Sequence, residues 1–598
     1  MNNYLFLFTI SPVQSFIAQA RKTRDLYNSS RILSDLIEFA ISQINPKEII
    51  FPFFDKQTND KEKSYPNRFI AILEGNDDQD VKNLGHKFKN QILKKFEEFS
   101  INAVKEAKIY KEKLPANFYN QIKNHLLIHW VALPFSDEQY KKRYKEIESL
   151  LGAIKNVREF EQVEETGRKC SICGERNMIF CQKGNKSKFQ LKPNWKLLST
   201  QEKITIEDFN NSIIEVNYPF DSSEGLCAVC FTKRFYLIEE FPSTAHIALK
   251  HLDSNEKTKK QIDYMKNIFD DYFDYQLLYE ENLKKAYFKK QNIQVKLLEE
   301  AKPIQAQLKK IAKEENLKIT PYYSVVMFDG DSMGKWLSGS NLREDVNLLD
   351  FHKKLTQLLN EFAYETRNIV TEEKGKVVYA GGEDFLAFIN LNYLFDVLRE
   401  LRIKFDDIIN NGISEFKNEN KNLTFSAGII IAHYKWPLSE VLSWARKLEK
   451  EAKDIDDDKN AFAIAVMKHS GEINKAILKW GMNGTENIDT LANITYDLSH
   501  EIFSNSFINQ LSKEFYGLTL RSEILKTELE RLLIRSFKPQ RKINESKEQF
   551  IKRKLEKIHN TMGCIISLYE KLNLENLISA LFIAEFISRH LNGVKNEN

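Results

Sequence analysis

Apolar residues along this chain come in two kinds of run, and their order repeats. Short unbroken or alternating runs read as strands, and longer runs broken every three or four residues read as amphipathic helices. Tyr4 to Ile10 (YLFLFTI) is a strand, and Ser11-Pro12 after it supplies a cap residue and a proline for a first helical turn. Helices follow through Phe16 and Ala20 and from Ser29 to about Ile44. Glu48 to Phe54 and Arg68 to Leu73 read as strands, Asp80 to about Ala107 as a helix, and Leu126 to Leu133 as a strand. The order β-α-β-β-α-β is the ferredoxin-like arrangement.

From about Glu161 to Phe231 the regular pattern stops. From Thr244 to about Asn316 it returns as Lys/Glu/Gln-rich helical spacing, and Pro303 predicts a break there. A second β-α-β-β-α-β unit begins near Tyr323. Its strands are Ser324 to Phe328, Lys376 to Ala380, Phe385 to Ile389 and Thr424 to Ala432, and its helices are Leu348 to Val370 and Leu391 to Ile409. A helix from Pro437 to Lys453 and a last strand from Ala461 to Met467 complete it. After Gly471 the chain reads as helical to its end, with a loop around Ser536 to Asn544.

These elements predict an α+β protein. Two ferredoxin-like palm domains occupy 1–160 and 318–470, a cysteine-bearing insertion with a helical connector 161–317, and an all-helical domain 471–598. At 598 residues the chain is too long for one core. With 42% hydrophobic and 29% charged residues it reads as an ordinary folded, soluble protein. Lys+Arg total 88 against Asp+Glu 84, a net charge of +4, so overall charge does not predict a nucleic-acid partner. Local basic patches such as Lys141 to Lys145 remain available to phosphates, although a solvated helix face explains any one of them. No stretch reaches the roughly 20 apolar residues of a membrane helix. The start has no basic leader and no small-residue cleavage site. Six cysteines are too few for a disulfide scaffold of this size, which favours a reducing, cytoplasmic setting.

The chemistry concentrates in two acidic motifs. Asp329-Gly330-Asp331 follows an apolar strand, and Gly381-Gly382-Glu383-Asp384 joins two apolar strands in a tight turn. In a ferredoxin-like sheet the first strand and this hairpin are neighbours, so Asp329, Asp331, Glu383 and Asp384 converge. Clustered carboxylates repel unless a cation lies between them. Mg²⁺ or Mn²⁺ takes oxygen ligands and keeps room for substrate phosphates. Two such ions roughly 3.5–4 Å apart activate an attacking hydroxyl and stabilise a leaving pyrophosphate. Gly330, Gly381 and Gly382 let the turn close and let phosphate approach the backbone. Lys453 is a candidate phosphate partner and Lys335 is another; Arg446 lies on the same helix as Lys453. Either motif alone is common in surface turns, whereas both at matching places in one βαββαβ unit point to nucleotidyl transfer. The first unit lacks an acid after its first strand, and its hairpin loop, Asp55 to Asn67, has no glycine pair.

Cys170-x-x-Cys173 and Cys227-x-x-Cys230 are four soft ligands suited to a tetrahedral structural Zn²⁺ site. The linker between them exceeds the roughly 15–20 residues of the common pattern. Cys181 could replace one of these ligands, and buried free thiols are the plain alternative.

At these residues a family becomes visible. Asp329-Gly330-Asp331-Ser332-Met333-Gly334, Gly381 to Phe385, and Ser426-Ala427-Gly428-Ile429 through His433-Tyr434-Lys435 resemble the large subunit of type III CRISPR effector complexes. Ile10-Ser11-Pro12-Val13-Gln14-Ser15-Phe16-Ile17 through Ala20 to Asp25 resembles its Cmr (type III-B) form. The resemblance runs from the first strand to about Gly471. It implies two facing palm domains holding two ATP molecules. Target RNA, paired with a CRISPR RNA among other Cmr-type subunits, switches on synthesis of cyclic oligoadenylate, a second messenger of antiviral defence. It implies Asp329 and Glu383 as metal ligands, Asp331 and Asp384 as second-metal or supporting ligands, Lys453 on phosphate, and a zinc site at the cysteines. Ser11, Gln14 and Ser34 are guesses for the second nucleotide. The family usually has Gly-Gly-Asp-Asp, so Glu383 is a departure. No His-Asp dipeptide occurs, so no HD nuclease activity is expected. Some relatives without that domain join ATP to S-adenosylmethionine instead, and the motifs do not separate the two products. A catalytically weak scaffold subunit and a diguanylate cyclase are further readings. The absence of any visible sensor or receiver segment disfavours the cyclase.

Overall fold

The computed structural model describes residues 2–45, 48–55, 64–109, 114–157, 167–192, 206–217, 223–237, 241–291, 293–481, 484–504, 506–517, 522–542 and 545–592. The first sheet contains β1 (Asn2–Ser11), β2 (Ile49–Phe51), β3 (Arg68–Gly75) and β4 (Leu127–Pro134). Its order is β2-β3-β1-β4, antiparallel throughout. A nearly unbroken apolar strand such as β1 requires cover on both faces. Phe6 and Phe8 pack with Phe69 and Phe88 beneath the helices Thr23–Ile41 and Asp78–Glu106. Leu5 and Leu7 face the opposite way, toward Tyr140 and Ile147 of the helix Tyr140–Asn156 and Phe351 and Leu355 of the second unit. Each such side chain removed from water contributes about 1.5–3 kcal/mol. The two units are therefore welded through a shared core rather than strung on a linker.

The cysteine segment forms a small sheet of β5 (Phe180–Gln182), β6 (Ile214–Val216) and β7 (Gly225–Leu226), ordered β6-β5-β7. The connector is helical as expected, with one correction. Pro303 lies inside the helix Leu297–Glu314 and does not end it. Proline removes one backbone hydrogen bond. Leu298, Ala301, Leu308 and Ala312, buried along one stripe, hold the helix together across that gap.

The second sheet contains β8 (Tyr322–Gly330), β9 (Gly375–Gly381), β10 (Asp384–Ile389), β11 (Phe425–His433), β12 (Ala461–Met467) and β13 (Ile473–Lys479). Its order is β13-β12-β11-β8-β10-β9. The run β11-β8-β10-β9 repeats the order of the first sheet in reverse listing. β12 joins parallel to β11 after the crossover helix Leu438–Lys453. β13 corrects two expectations: β12 is not the last strand, and the chain is not helical from 471 onward. β13 is an edge strand with Lys475 and Lys479 on it, and helix Leu574–His590 packs against it. Lysines protect an edge from further pairing, and they also blur the alternating pattern that marks a strand. Helices then run to His590. The boundary drawn at 160/161, residues 56–63 of the first hairpin loop and residues 543–544 of the C-terminal loop lie outside the described residues. Among the described residues no helix is long and apolar enough to cross a membrane.

Candidate active site and metal centres

Strand register brings the two acidic motifs together. Phe385 pairs with Phe328, so Asp384 and Asp329 lie side by side at the ends of β10 and β8. Gly382 takes φ of +67° in the turn between β9 and β10, a conformation a side chain strains. Gly330 is equally constrained, because a Cβ there would stand 2.9 Å from Glu383 Cβ. Lys453, from the last turn of the crossover helix, donates to Asp329 Oδ2 and also pairs with Glu449 at 2.8 Å. Its ammonium is held above the usual lysine range, because Asp329 and Glu449 outweigh its burial.

The carboxylates show the crowding that clustered acids should show. The Asp384 carboxyl is pushed well above the usual range, first by surrounding protein, then by sharing a hydrogen bond with Asp329 and by Asp329's charge. Burial first and Asp329 second also raise Glu383. A divalent cation relieves this repulsion, and the donors are all hard oxygens, so the residues fit Mg²⁺ or Mn²⁺.

Asp331 behaves differently. It is only 4% exposed, and its Oδ2 accepts from the Thr424 hydroxyl at 2.7 Å and the Asn460 N–H at 3.0 Å. Its Oδ1 has no hydrogen-bond partner among the described residues. Asp331 therefore braces the loop after β8 and keeps one oxygen in reserve.

Both units build the cleft above these acids, which has a volume of about 450 Å³. Asp329, Asp384, Arg446 and Lys453 line it from one side, and Gln14 and Asn67 from the other. Of the three first-unit candidates only Gln14 faces it. Ser11 ends β1 in register with Leu127, and the buried Ser34 hydroxyl accepts from the Tyr65 N–H at 2.8 Å. Lys335 is exposed on the short helix Met333–Leu337 and does not line the cleft. Glu449, Lys450 and Tyr379 line it too and were missed by sequence reasoning. The signal was present for Glu449, since Arg446, Glu449 and Lys453 recur at helical spacing along the edge of the stripe of buried Leu442, Ala445 and Leu448.

The four paired cysteines form the second centre. One sulfur from each of Cys170, Cys173, Cys227 and Cys230 lies within 4.8 Å of the others. Backbone N–H groups of Ile172 and Cys230 point at Cys170 and Cys227 sulfurs at 3.5 and 3.4 Å. Gly174, at φ +67°, turns the first pair. Hydrogen bonds from its neighbours pull the Cys173 thiol down, while burial pushes Cys227 up. So crowded a set suits one soft cation, consistent with structural zinc. Cys181 stands apart, packed with Met178 and Phe209, and is not a fifth ligand. Arg234, two turns beyond Cys227, is buried with Asp25 and Glu224. It donates to both Asp25 oxygens and pairs with Glu224 at 3.2 Å, fastening the cysteine segment to the first unit.

The fold and its acid-tipped hairpin define a mixed α/β protein built around a palm domain of the nucleotidyl-transfer type. Residues 322–463 match the family described as Cas10/Cmr2, second palm domain, and residues 5–105 match CRISPR-associated protein Cmr2, N-terminal. The CRISPR system Cmr subunit Cmr2 of Pyrococcus furiosus is 25% identical over 583 aligned positions, covering 80% of this chain and 63% of that protein. The CMR subunit Cmr2 of Saccharolobus solfataricus is 28% identical over 118 residues, 18% of this chain and 11% of its own length. The chain thus spans less than two thirds of the curated relatives it matches. Among solved structures, a type III-B Cmr-beta chain in the apo state covers 92% of this chain and 78% of its own at TM-score 0.60 and 16% identity. A Cmr-beta chain bound to cognate target RNA covers 98% and 83% at TM-score 0.62 and 15% identity. Over residues 5–105 and 322–463 the chain is thus similar to the Cas10/Cmr2 proteins.

Proposed function

We propose that this chain is the large subunit of a Cmr-type effector complex and that its second unit transfers adenylyl groups from ATP to make cyclic oligoadenylate. The observation that carries this reading is the convergence of Asp329, Asp384 and Lys453 on a cleft walled by both units. Asp329 and Asp384 would hold the divalent cation, which supplies charge neutralisation for the triphosphate and activation of the attacking hydroxyl. With Asp329 engaged by a cation, the Lys453 ammonium would be free to pair with phosphate. Gly382 leaves the turn open to close approach, and Gln14 offers the first unit's amide to a second nucleotide. CRISPR RNA, target RNA and further Cmr-type subunits are the proposed partners. The Cmr-beta relative solved with target RNA supports them.

Incubating the assembled complex with target RNA, Mn²⁺ or Mg²⁺, labelled ATP and S-adenosylmethionine, then weighing the products by mass spectrometry, tests the reaction. Cyclic oligoadenylate is expected, and a methionine-bearing adenylate would replace that product assignment. Alanine at both Glu383 and Asp384 should abolish product by a factor on the order of 10³ or more, the scale of removing several kcal/mol of charge stabilisation. Unchanged synthesis would refute the site. At the cysteines we propose structural Zn²⁺, and metal analysis of the purified chain should find about one zinc per chain, as one four-cysteine site requires.

A further inference from the structure

The seam between the units holds a second and larger space. A groove of about 1560 Å³ lies beside the 450 Å³ cleft and shares Arg446 with it. The same two helices wall both. Ser15 and Ala18 of the helix Gln14–Ala18 line the groove, and Gln14 and Ile17 of that helix line the cleft. On the crossover helix, Ser439, Ser443, Arg446, Lys450 and Lys453 follow at steps of four and three residues, the spacing of a single helix face. Ser439, Ser443 and Arg446 line the groove, and Arg446, Lys450 and Lys453 line the cleft. At about 1.5 Å per residue this stripe is roughly 21 Å long, the span of about six stacked nucleotides.

The chemistry of the groove suits a polyanion that carries aromatic bases. Arg21, Lys22, Arg24, Lys183, Lys435 and Arg446 line it against Asp274 and Glu224. Glu224 is already spent on Arg234 at 3.2 Å, and Asp274 accepts the Gln276 N–H at 2.8 Å. Lys22 and Lys183 are exposed. The whole chain carries a net charge of only +4, so this excess of cations is concentrated in one place. Rings stand among them. Tyr272 is 52% exposed, the Trp436 indole N–H donates to the Lys468 carbonyl at 3.3 Å, and the Tyr287 hydroxyl donates to Gln276 at 3.3 Å. Cations that follow a backbone and rings that stack on bases are the two parts of a site for a single strand.

We propose that the groove is the track for the 5′ part of a linear oligoadenylate whose 3′ end lies at Asp329 and Asp384. This rests on the adenylyl-transfer reading above. A growing strand keeps its 3′-hydroxyl at the acids, where that oxygen bonds to the α-phosphorus of the next ATP, its proton passes to water and pyrophosphate leaves. The strand's own 5′-triphosphate must lie elsewhere, and the cleft is only the size of an ordinary small-ligand pocket. The stripe on the crossover helix carries the strand from one space to the other. The cations of the groove keep the 5′-triphosphate away from the 3′ end, so the strand lengthens before it closes.

A synthetic 5′-triphosphorylated linear tetra-adenylate, ending in 3′-deoxyadenosine so that it cannot react, tests this by calorimetry on the full chain. Lys22→Glu combined with Lys183→Glu should weaken its binding about thirtyfold at low salt, and Tyr272→Ala about fivefold. Tyr272→Phe keeps the ring and should bind like the unaltered chain. ATP should lose less than about twofold in the same variants, because it reaches only the cleft. Thermal melting of each variant reports folding, and equal losses for ATP and the tetra-adenylate overturn the inference. In the assembled complex with target RNA and ATP, the double lysine variant should shift the products toward shorter strands and rings. Equal loss of tetra-uridylate and tetra-adenylate with product lengths unchanged would assign the groove to another RNA strand and also overturn it. If ATP is joined and neither binding nor product length responds, this inference falls alone. If the unaltered complex joins no ATP, the adenylyl-transfer reading falls and takes this inference with it.

Discussion

The ends of β1 and β8 occupy the same place in two sheets of the same order, yet they do opposite things. β8 leads into Asp329-Gly330-Asp331 and meets a glycine-rich hairpin, so charge accumulates where a divalent cation would fit. β1 ends in Ser11-Pro12, and its neighbouring Ser34 is spent on a backbone hydrogen bond. One topology therefore supplies two frames, and the few residues at the strand ends decide which frame carries charge. The first unit is still not idle. It contributes Gln14 to the cleft wall and Arg68 to the back of the hairpin. Fold likeness alone does not assign activity, because chemistry resides in the site grafted on the fold.

Three experiments break or sharpen this contrast. The largest effect belongs to Lys453. Lys453→Ala should lower product formation by about 10²-fold, the usual range for losing one preorganised charge partner. A change of only a few per cent would leave the second unit no better equipped than the first.

Next comes pH. Asp384 and Glu383 sit above the ordinary carboxylate range, and each must lose its proton to bind a cation. Mn²⁺ affinity should therefore start to fall while the pH is still above that range. Lys453, held above the usual lysine range, stays charged throughout. Stability without metal moves oppositely. An acid with a raised folded-state pKa binds its proton more tightly when folded, so this pair's contribution grows as pH falls. Calorimetry for binding and thermal melting for stability check the two signs, and a flat binding profile contradicts the crowded site.

The smallest effect belongs to the first unit. Gln14→Ala should raise the KM for ATP by about fivefold with kcat nearly unchanged, the loss of roughly one neutral hydrogen bond. A fall in kcat as large as that of Lys453→Ala would show that the two units share the chemistry.

Much of the architecture was legible in the residues. Apolar runs located both βαββαβ units, and two glycine–acid motifs located the turn, because backbone sterics and charge crowding are local properties. Pro303 misled, since its local penalty is outweighed by a buried stripe that only packing reveals. β13 was hidden because an edge strand carries lysines and needs only one apolar face.

The sequence by itself determined which side chains can carry charge, turn the chain or bind soft metal: Asp329, Asp384, Gly382 and the four cysteines. Tertiary structure alone decided which way each one points. Asp331 turned inward to Thr424, and Cys181 turned into a small apolar cluster. Glu383 turned out of the cleft into a small pocket that Arg68, more than three hundred positions earlier in the chain, also lines. Such contacts depend on how two cores are pressed together, and no spacing within a single segment encodes them.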